Sequence, residues 1–480
     1  MREAAGERTP LLCYYGDDFT GSTDVLEALS SAGLHTVLCL EAPDVEWIRS
    51  RFPDAECIGV AGVSRSMSPQ EMESELYPIL GKLKELRPRL MHYKVCSTFD
   101  SSPEAGSIGR AIEIGRSVFP AGRYVPLLAG VPALGRYTVF GHHFARGAGG
   151  SGVYRLDRHP TMSRHPVTPM DEADLRVHLG RQTRLPAALM DILALEGPFP
   201  EVERQMEKLL RQGPGIVLFD ALDEGRLAAA GRLIWEEAGR TGGEALFAAG
   251  SSGIEYALTG YLRASGRLPE PPPGSGGSLG RAEPLLVVSG SCSPVTGTQI
   301  AAALASGFAG IRVPVPALLG PDGGEQAARD LLAASLACLR EGRSLVLYTA
   351  DGPEDPAVKE AEALAAAGGM APAEWRRLLG VRLGALAREL VLAHGLKRLV
   401  VAGGDTSGYV TRGLGISALE WLASAAPGAP VCRAHSEDSR LDGLQLILKG
   451  GQMGGEGFLA DVLQGRQMKI NAHLSKEGRR

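Results

Sequence analysis

Absent from this 480-residue chain is any stretch approaching the roughly 18 consecutive apolar residues that a bilayer-spanning helix needs. The first ten residues, Met1 to Pro10, are polar and carry two glutamates. A secretory signal would instead open on basic residues and continue into an apolar run of about 7 to 15. Cysteine is sparse as well: seven residues, at 13, 39, 57, 96, 292, 338 and 432, with no CxxC pair and no Cys/His spacing of the metal-binding kind. The expectation is a cytoplasmic protein with reduced, mostly buried thiols. An excess of either charge is lacking too, since 50 Lys and Arg face 55 Asp and Glu for a net charge of −5. That leaves no electrostatic footprint for a nucleic acid. A GxxxxGK[ST] element is missing, so any phosphoryl transfer here is not of the P-loop kind. No internal repeat of about 20 to 50 residues marks a solenoid or propeller.

Hydrophobic residues make up 44% and charged residues 22%, the balance of a globular protein. A chain of 480 residues exceeds what one core sustains, about 250 to 300, so two domains are expected. The sharpest change in composition is Ala264 to Pro284, ASGRLPEPPPGSGGSLGRAEP, which reads as an exposed linker. It separates an N-terminal domain, 8–263, from a C-terminal domain, 285–465, followed by a polar tail, 466–480. On the N-terminal side, LLCYYG, HTVLCL, ECIGVAG and LMHYKV read as short buried strands. Between them lie helical patterns such as MSPQEMESELYPILGKLKEL and a helix whose apolar face holds Val25, Leu26 and Leu29. After the linker the rhythm returns in PLLVVSGSCS, GIRVPV, SLVLYTA and KRLVVAGGDTS. The expected fold is α/β: two α/β domains, each with a largely parallel sheet flanked by helices, joined by the Pro/Gly-rich linker. Gly135 to Met170, rich in Gly, His, Arg and Pro, reads as a long functional loop.

In open α/β sheets ligands bind beyond the carboxyl ends of the strands. Asp17 and Asp18 follow the first strand and precede Thr20, Gly21 and a helix. One carboxylate would take a proton from a hydroxyl while the other fixes its position. A helix cap and turn account for the doublet equally well. Lys94, ending a second strand before Ser97, Thr98 and Asp100, has the groups to grip a carboxylate or polyol. Arg65, after a third strand, is another candidate. Each alone is more often a solvated surface group; three strand ends in one domain point to a cleft. In the C-terminal half, glycine-rich turns hold Ser289, Gly290 and Ser291, then Gly403, Gly404, Asp405 and Thr406, then Gly450 and Gly451. Glycine lets backbone N–H groups approach phosphates closely. A single such turn is usually only a tight connection.

Two signals are set aside. Gly147 to Gly152 matches GxGxxG, but no buried strand leads into it and no helical pattern follows, so it reads as a flexible loop. His142, His143, His159 and His165 match no helical zinc spacing and read as substrate-loop or structural residues. No metal-ligand residues are assigned.

With these residues assembled, the chain resembles the four-carbon acid sugar kinase family over nearly its whole length. The matching pieces are YYGDDFTGSTD, VSRSM, KVCSTFDS, VVSGSCSPVTGTQI, VVAGGDTSGYV and LKGGQMGG. The resemblance implies an N-terminal substrate domain, a C-terminal nucleotide domain, and ATP with Mg²⁺ as cofactors. It places Asp17, Arg65 and Lys94 to Thr98 against substrate, and Ser291, Gly403 to Thr406 and Gly450 or Gly451 against nucleotide. Where the family has an Asp before the Ser-Thr pair and an Arg-Gly beyond it, this chain has Cys96, Asp100 and Ser101. Exchange of a cation for an anion argues against a plain tetronate. The segment GHHFARGAGGSGVYRLDRHPTMSRHPVTPM is similar to a subgroup acting on 3-oxo-isoapionate, so an oxidised or branched short acid sugar is the expected substrate class.

The expected partners are that acid sugar and ATP, with no nucleic acid and no membrane, and a homodimer as the candidate assembly. Three other functions compete with this one. A tetronate (erythronate or threonate) kinase differs only in substrate. A non-catalytic acid-sugar and nucleotide sensor would bind both ligands without turnover. A dehydrogenase rests on the GxGxxG match alone and would require NAD(P) binding.

Overall fold

The computed structural model describes residues 9–147, 152–165, 167–269, 279–320 and 324–466, with the backbone alone at 365, 372, 373 and 405. The chain divides into two compact units, Met1–Pro272 and Pro273–Arg480.

The first unit opens with β1 (Leu12–Gly16), α1 (Phe19–Ser31), β2 (Thr36–Cys39), α2 (Val45–Arg51), β3 (Cys57–Ala61), α3 (Pro69–Glu85) and β4 (Leu90–Lys94). It continues through α4 (Ile108–Val118), β5 (Val125–Leu128), β6 (Arg136–Val139), β7 (His142–Arg146), β8 (Val153–Arg155) and α5 (Leu175–Gly180). It closes with β9 (Ala187–Met190), α6 (Phe199–Leu210), β10 (Ile216–Phe219), α7 (Glu224–Gly239), β11 (Leu246–Gly250) and α8 (Gly253–Ala264). Helix α3 shows how local chemistry sets these elements. Ser68 caps it reciprocally with Glu71, Pro69 opens it, and Met72, Leu76, Leu80 and Leu83 form its buried stripe.

A parallel sheet runs in the order β2-β3-β1-β4-β11-β5-β10-β9. Strand β1 lies between β3 and β4 in full register, Gly16 opposite Ala61 on one side and Lys94 on the other. Three neighbouring strands therefore release their next residues side by side at one edge. Both β1 and β4 are buried along their whole length, as expected of strands covered on two faces.

The reading of Gly135 to Met170 as a loop is corrected. Strands β6, β7 and β8 form an antiparallel sheet, and Ala145, Leu156, Met162, Met170 and Ala173 make a small core beside it. Burial alternates along β7, with His143 and Ala145 inward and His142, Phe144 and Arg146 partly or fully exposed, a half-buried strand whose sequence HHFAR shows no polar–apolar alternation. The literal GxGxxG spans the β7–β8 connection, where the Gly147 N–H donates to Gly152 O at 2.9 Å. Its residues 148–151 lie outside those described. A strand-to-strand turn is not the strand-to-helix turn that a dinucleotide requires.

The second unit contains β12 (Leu286–Ser289), α9 (Pro294–Ala305), β13 (Ala309–Arg312), α10 (Val315–Leu318), α11 (Glu325–Arg340), β14 (Leu345–Tyr348) and α12 (Pro356–Ala367). After these come α13 (Pro372–His394), β15 (Arg398–Ala402), α14 (Gly404–Gly413), β16 (Ile416–Ala426), β17 (Ala429–Ser436), β18 (Gln445–Lys449) and α15 (Phe458–Gln464). Its sheet order is β13-β14-β12-β15-β18-β17-β16, parallel as far as β18. The long β16–β17 hairpin runs antiparallel, with β17 paired antiparallel to β18.

The far end of the Pro/Gly-rich segment is held rather than free. Arg398, 1% exposed, donates to Leu279 O, Gly280 O and Val462 O, and Ala282 N–H donates to Leu463 O. Residues 270–278 of that segment lie outside those described. Among the described residues no helix is long and apolar enough to cross a membrane.

Candidate active site

In the first unit the strand ends bring four of the expected residues together. Asp17 follows β1, and its N–H donates to Lys94 O at 2.9 Å while its carbonyl accepts from Arg65 N at 3.0 Å. Asp18 is the N-cap of α1, taking the Gly21 N–H at 2.7 Å, so the cap expected as the alternative role is present. It is not the whole of its role. Arg65 reaches across the doublet, Nη2 and Nε to Asp17 at 2.7 and 3.2 Å and Nη1 to Asp18 at 2.7 Å. A guanidinium has five N–H bonds, so two remain for a ligand.

Asp17 is 4% exposed. Burial raises its pKa, the opposing charge of Arg65 notwithstanding. Lys94 is buried as well, with Nζ 3.8 Å from Asp24 Oδ2. Gly21 and Asp24 are three apart on α1 and share a face. A Cβ on Gly21 would sit 2.5 Å from Asp18 Oδ1 and 2.8 Å from Lys94 Nζ, so Gly21 provides the clearance that lets both groups converge. Thr20 lies in the first turn of α1, its carbonyl taken by the Thr23 hydroxyl.

The loop after β4 is rigidly wired. Thr98 Oγ1 donates to Asp100 Oδ1 at 2.6 Å, and Cys96 Sγ lies 3.0 Å from the same hydroxyl. Burial alone would raise the pKa of Asp100, but Arg65, Thr98 and Cys96 outweigh it and hold the carboxyl below its ordinary range. Asp100 therefore stays an anion within the field of Arg65. Phe99, buried between them, adopts φ +57°, a left-handed conformation uncommon for an aromatic residue. Ser101 bonds the Phe99 carbonyl, His178 and Gln182.

Ser97 presents its carbonyl to His143 Nε2 at 2.8 Å. A carbonyl only accepts, so Nε2 carries the proton and Nδ1 takes the Thr138 hydroxyl at 3.0 Å. Burial depresses His143 to about 4, which keeps it neutral. His143 and Asp24 join the site as residues to which the sequence assigned no specific role. Only pairing of β6 with β7 and the turn of α1 bring them there.

In the second unit β14, β12, β15 and β18 are neighbours, and the segments after them wall a cavity of about 480 Å³. Its polar rim includes Gly290, Ser291, Gly403, Gly404, Thr406 and Gly451. Gly403 has φ +121°, and α14 starts directly after it, so the unpaired N–H groups of a helix start face the rim. A Cβ on Gly290 would lie 2.2 Å from Thr406 Oγ1; one on Gly451 would lie 2.8 Å from Ser291 Oγ. Ser289 and Gly450 are not in the cavity wall. Ser289, still in the sheet at the end of β12, is 1% exposed. The side chain of Asp405 lies outside those described.

Helices α10, α12 and α13 line the cavity mainly with apolar residues, Val315, Val358, Ala361, Trp375, Leu379 and Leu383, together with Glu362 and Arg376. Nothing in the sequence singled these out, because apolar residues at helical spacing read equally as core. Among the described residues no group of three or more His, Cys, Asp or Glu could cage a metal ion.

A cavity with glycine-rich, N–H-bearing turns beside apolar side chains has the groups to take a nucleotide, and a carboxylate-and-cation cluster has those to take a polyhydroxy acid. The chain is thus of the class that joins a sugar-binding domain to a nucleotide-binding one. Residues 12–258 match the sugar-binding N-terminal domain and residues 286–459 the nucleotide-binding C-terminal domain. The chain belongs to the four-carbon acid sugar kinase family.

Among its relatives, the 3-oxo-isoapionate kinase of Paraburkholderia graminis is 50% identical over 460 residues, 95% of this chain and 94% of its own. The 3-oxo-tetronate kinase of Methylobacterium radiotolerans is 32% identical over 450 residues, 93% of this chain and 97% of its own. A crystal structure from Salmonella typhimurium LT2 shares the fold, with a TM-score of 0.76 at 23% identity, covering 95% of this chain and 99% of the other.

The raised pKa of Asp17 sets a pH dependence. With Asp17 as the base proposed below, which must be deprotonated to act, kcat/KM is expected to fall on acidification through a pKa above the ordinary aspartate value of about 3.9. Arg65 lowers that pKa, so Arg65→Gln is expected to move the acid limb to higher pH. A pH profile of steady-state turnover for both proteins checks the direction; an unmoved limb assigns it to another group.

Proposed function

We propose that the protein transfers the γ-phosphoryl group of ATP to a hydroxyl of a short oxidised or branched acid sugar, with 3-oxo-isoapionate as the leading substrate. The observation that carries this reading is the Asp17–Arg65–Asp18 arrangement: a carboxylate made more basic by burial, beside a guanidinium with N–H bonds left for an acid. The relative named for 3-oxo-isoapionate supports the particular substrate.

In this mechanism Asp17 accepts the proton of the attacking hydroxyl as its oxygen bonds to the γ-phosphorus and the bond to the β-phosphate oxygen breaks, releasing ADP. Asp18 and Arg65 hold that carboxylate in place, and Arg65 with Lys94 meets the acid group. Ser291, Gly403 to Thr406 and Gly451 surround the phosphates, and the slot under Trp375 receives the base. Mg²⁺ would neutralise charge on the phosphates. With no three-ligand cage among the described residues, it would be held largely by phosphate oxygens and water, its usual mode in such sites. None of the cysteines at 13, 39, 57, 96, 292 and 338 is in a disulfide, which suits a reducing cytoplasm.

Coupled ADP release over branched C5 oxo acids, 3-oxo-tetronates and tetronates tests the proposal. The highest kcat/KM is expected on the branched oxo acid and the lowest on erythronate or threonate, against which the Asp100 anion works. A preference for tetronates would return the substrate to the simple members of the family. Saturable binding of sugar and ATP without ADP release would make the protein a sensor.

A further inference from the structure

Behind the last glycine-rich turn lies a set of polar side chains with no part in the mechanism above. Lys449, the final residue of β18, is 1% exposed, and no carboxylate among the described residues pairs with it. Its ammonium donates instead to Thr296 Oγ1 at 3.1 Å, Gly450 O at 3.1 Å and Gly451 O at 3.3 Å. Thr296 Oγ1 also donates to Gly451 O at 2.9 Å. One turn along α9, Gln299 Nε2 donates to Met453 O and Gly455 O, both at 3.0 Å. Four carbonyls of one loop are thereby drawn to one side.

A peptide unit is planar and trans, so the N–H after each carbonyl points the opposite way. The N–H groups of Gly451 and Gln452 are therefore turned away from Lys449, and these two residues line the nucleotide cavity. Water would solvate an ammonium better than three neutral oxygens do, and burial accordingly lowers the pKa of Lys449 to about 8. An anion on the other face of the loop would offset that cost.

We propose that Lys449 is a positioning residue for the nucleotide's phosphates: it orients the Gly450–Gly451 and Gly451–Gln452 peptide units so that their N–H groups meet phosphate oxygen, and places a cation behind them. The inference rests on the cavity being a nucleotide site. Its action falls on the phosphates and leaves the base alone.

Calorimetric titration of the full chain with ADP and with adenosine separates these contributions. Lys449→Met is expected to weaken ADP by about 10- to 30-fold, the range of one charge-assisted interaction, with adenosine affinity changed less than about twofold. Thr296→Val, which keeps the cation but removes one tether, is expected to weaken ADP a few-fold, again without effect on adenosine. Should Lys449→Met not fold, the Thr296→Val contrast decides. Equal losses for ADP and adenosine would make these residues general scaffold and overturn the proposal, as would unchanged ADP affinity. A wild-type protein that binds neither ligand would remove the nucleotide reading of the cavity itself.

Discussion

Replacement of Asp17 by asparagine is expected to lower turnover by about 10²- to 10⁴-fold while leaving ADP affinity within about twofold of wild type, the usual cost of removing a general base. Asparagine matches the shape of aspartate and still offers an oxygen to Arg65, so the backbone bonds of Asp17 to Lys94 and Arg65 persist. What disappears is the group able to take the hydroxyl proton. Arg65 keeps its bond to Asp18, so the guanidinium is not stranded. The nucleotide cavity belongs wholly to the second unit, which is why ADP binding is the control. Asp18→Asn supplies the contrast, since asparagine caps a helix as well as aspartate does and α1 should stay intact. Normal turnover of Asp17→Asn together with a dead Asp18→Asn would transfer the base to Asp18. Steady-state ADP release and calorimetric ADP titration measure both quantities.

Gly403→Val is expected to raise the dissociation constant for ADP about 100-fold or more, the equivalent of losing two charge-assisted backbone hydrogen bonds. The reason is conformational before it is steric. Gly403 sits at φ +121°, a region that a β-branched residue all but excludes, so the turn from β15 into α14 must change path. Even without that change, a Cβ there would lie 3.0 Å from Thr406 Oγ1 and 3.4 Å from Ser291 N, crowding two parts of the polar rim of the cavity. Acid-sugar binding to the first unit should be preserved and serves as the measure of folding. Unchanged ADP affinity would show that the turn is a connection only.

The two cases differ in how legible they were. Asp17 and Asp18 stand beside one another after an apolar run and before a helix pattern, so adjacency in the chain was enough to nominate them. The GGDT turn was nominated because glycine, carboxylate and hydroxyl crowd together at a predicted strand end. Neither pattern reveals that Arg65 spans both carboxylates, because Arg65 lies 48 residues from Asp17 and meets it only through the parallel pairing of β1 with β3. The apolar slot at Trp375 and Leu379 was invisible for a different reason. Amphipathic helices carry the same spacing whether their apolar face closes on a core or leaves room for a ligand. The Gly135 to Met170 segment was misread because its glycines and histidines concealed strands that pair only with each other.

Local chemistry by itself determined the alternation of buried strands and amphipathic helices, the break near Ala264 to Pro284, and the residue types placed at each strand end. Those depend on side-chain periodicity and backbone freedom, which act over a few residues. Sheet order decided the rest. Setting β1 between β3 and β4 put a guanidinium across two carboxylates, and setting β18 beside β15 stationed Lys449 and Gly451 beside Gly403. Contacts between residues dozens to hundreds of positions apart carry no local signature, so they emerge only when the strands have paired.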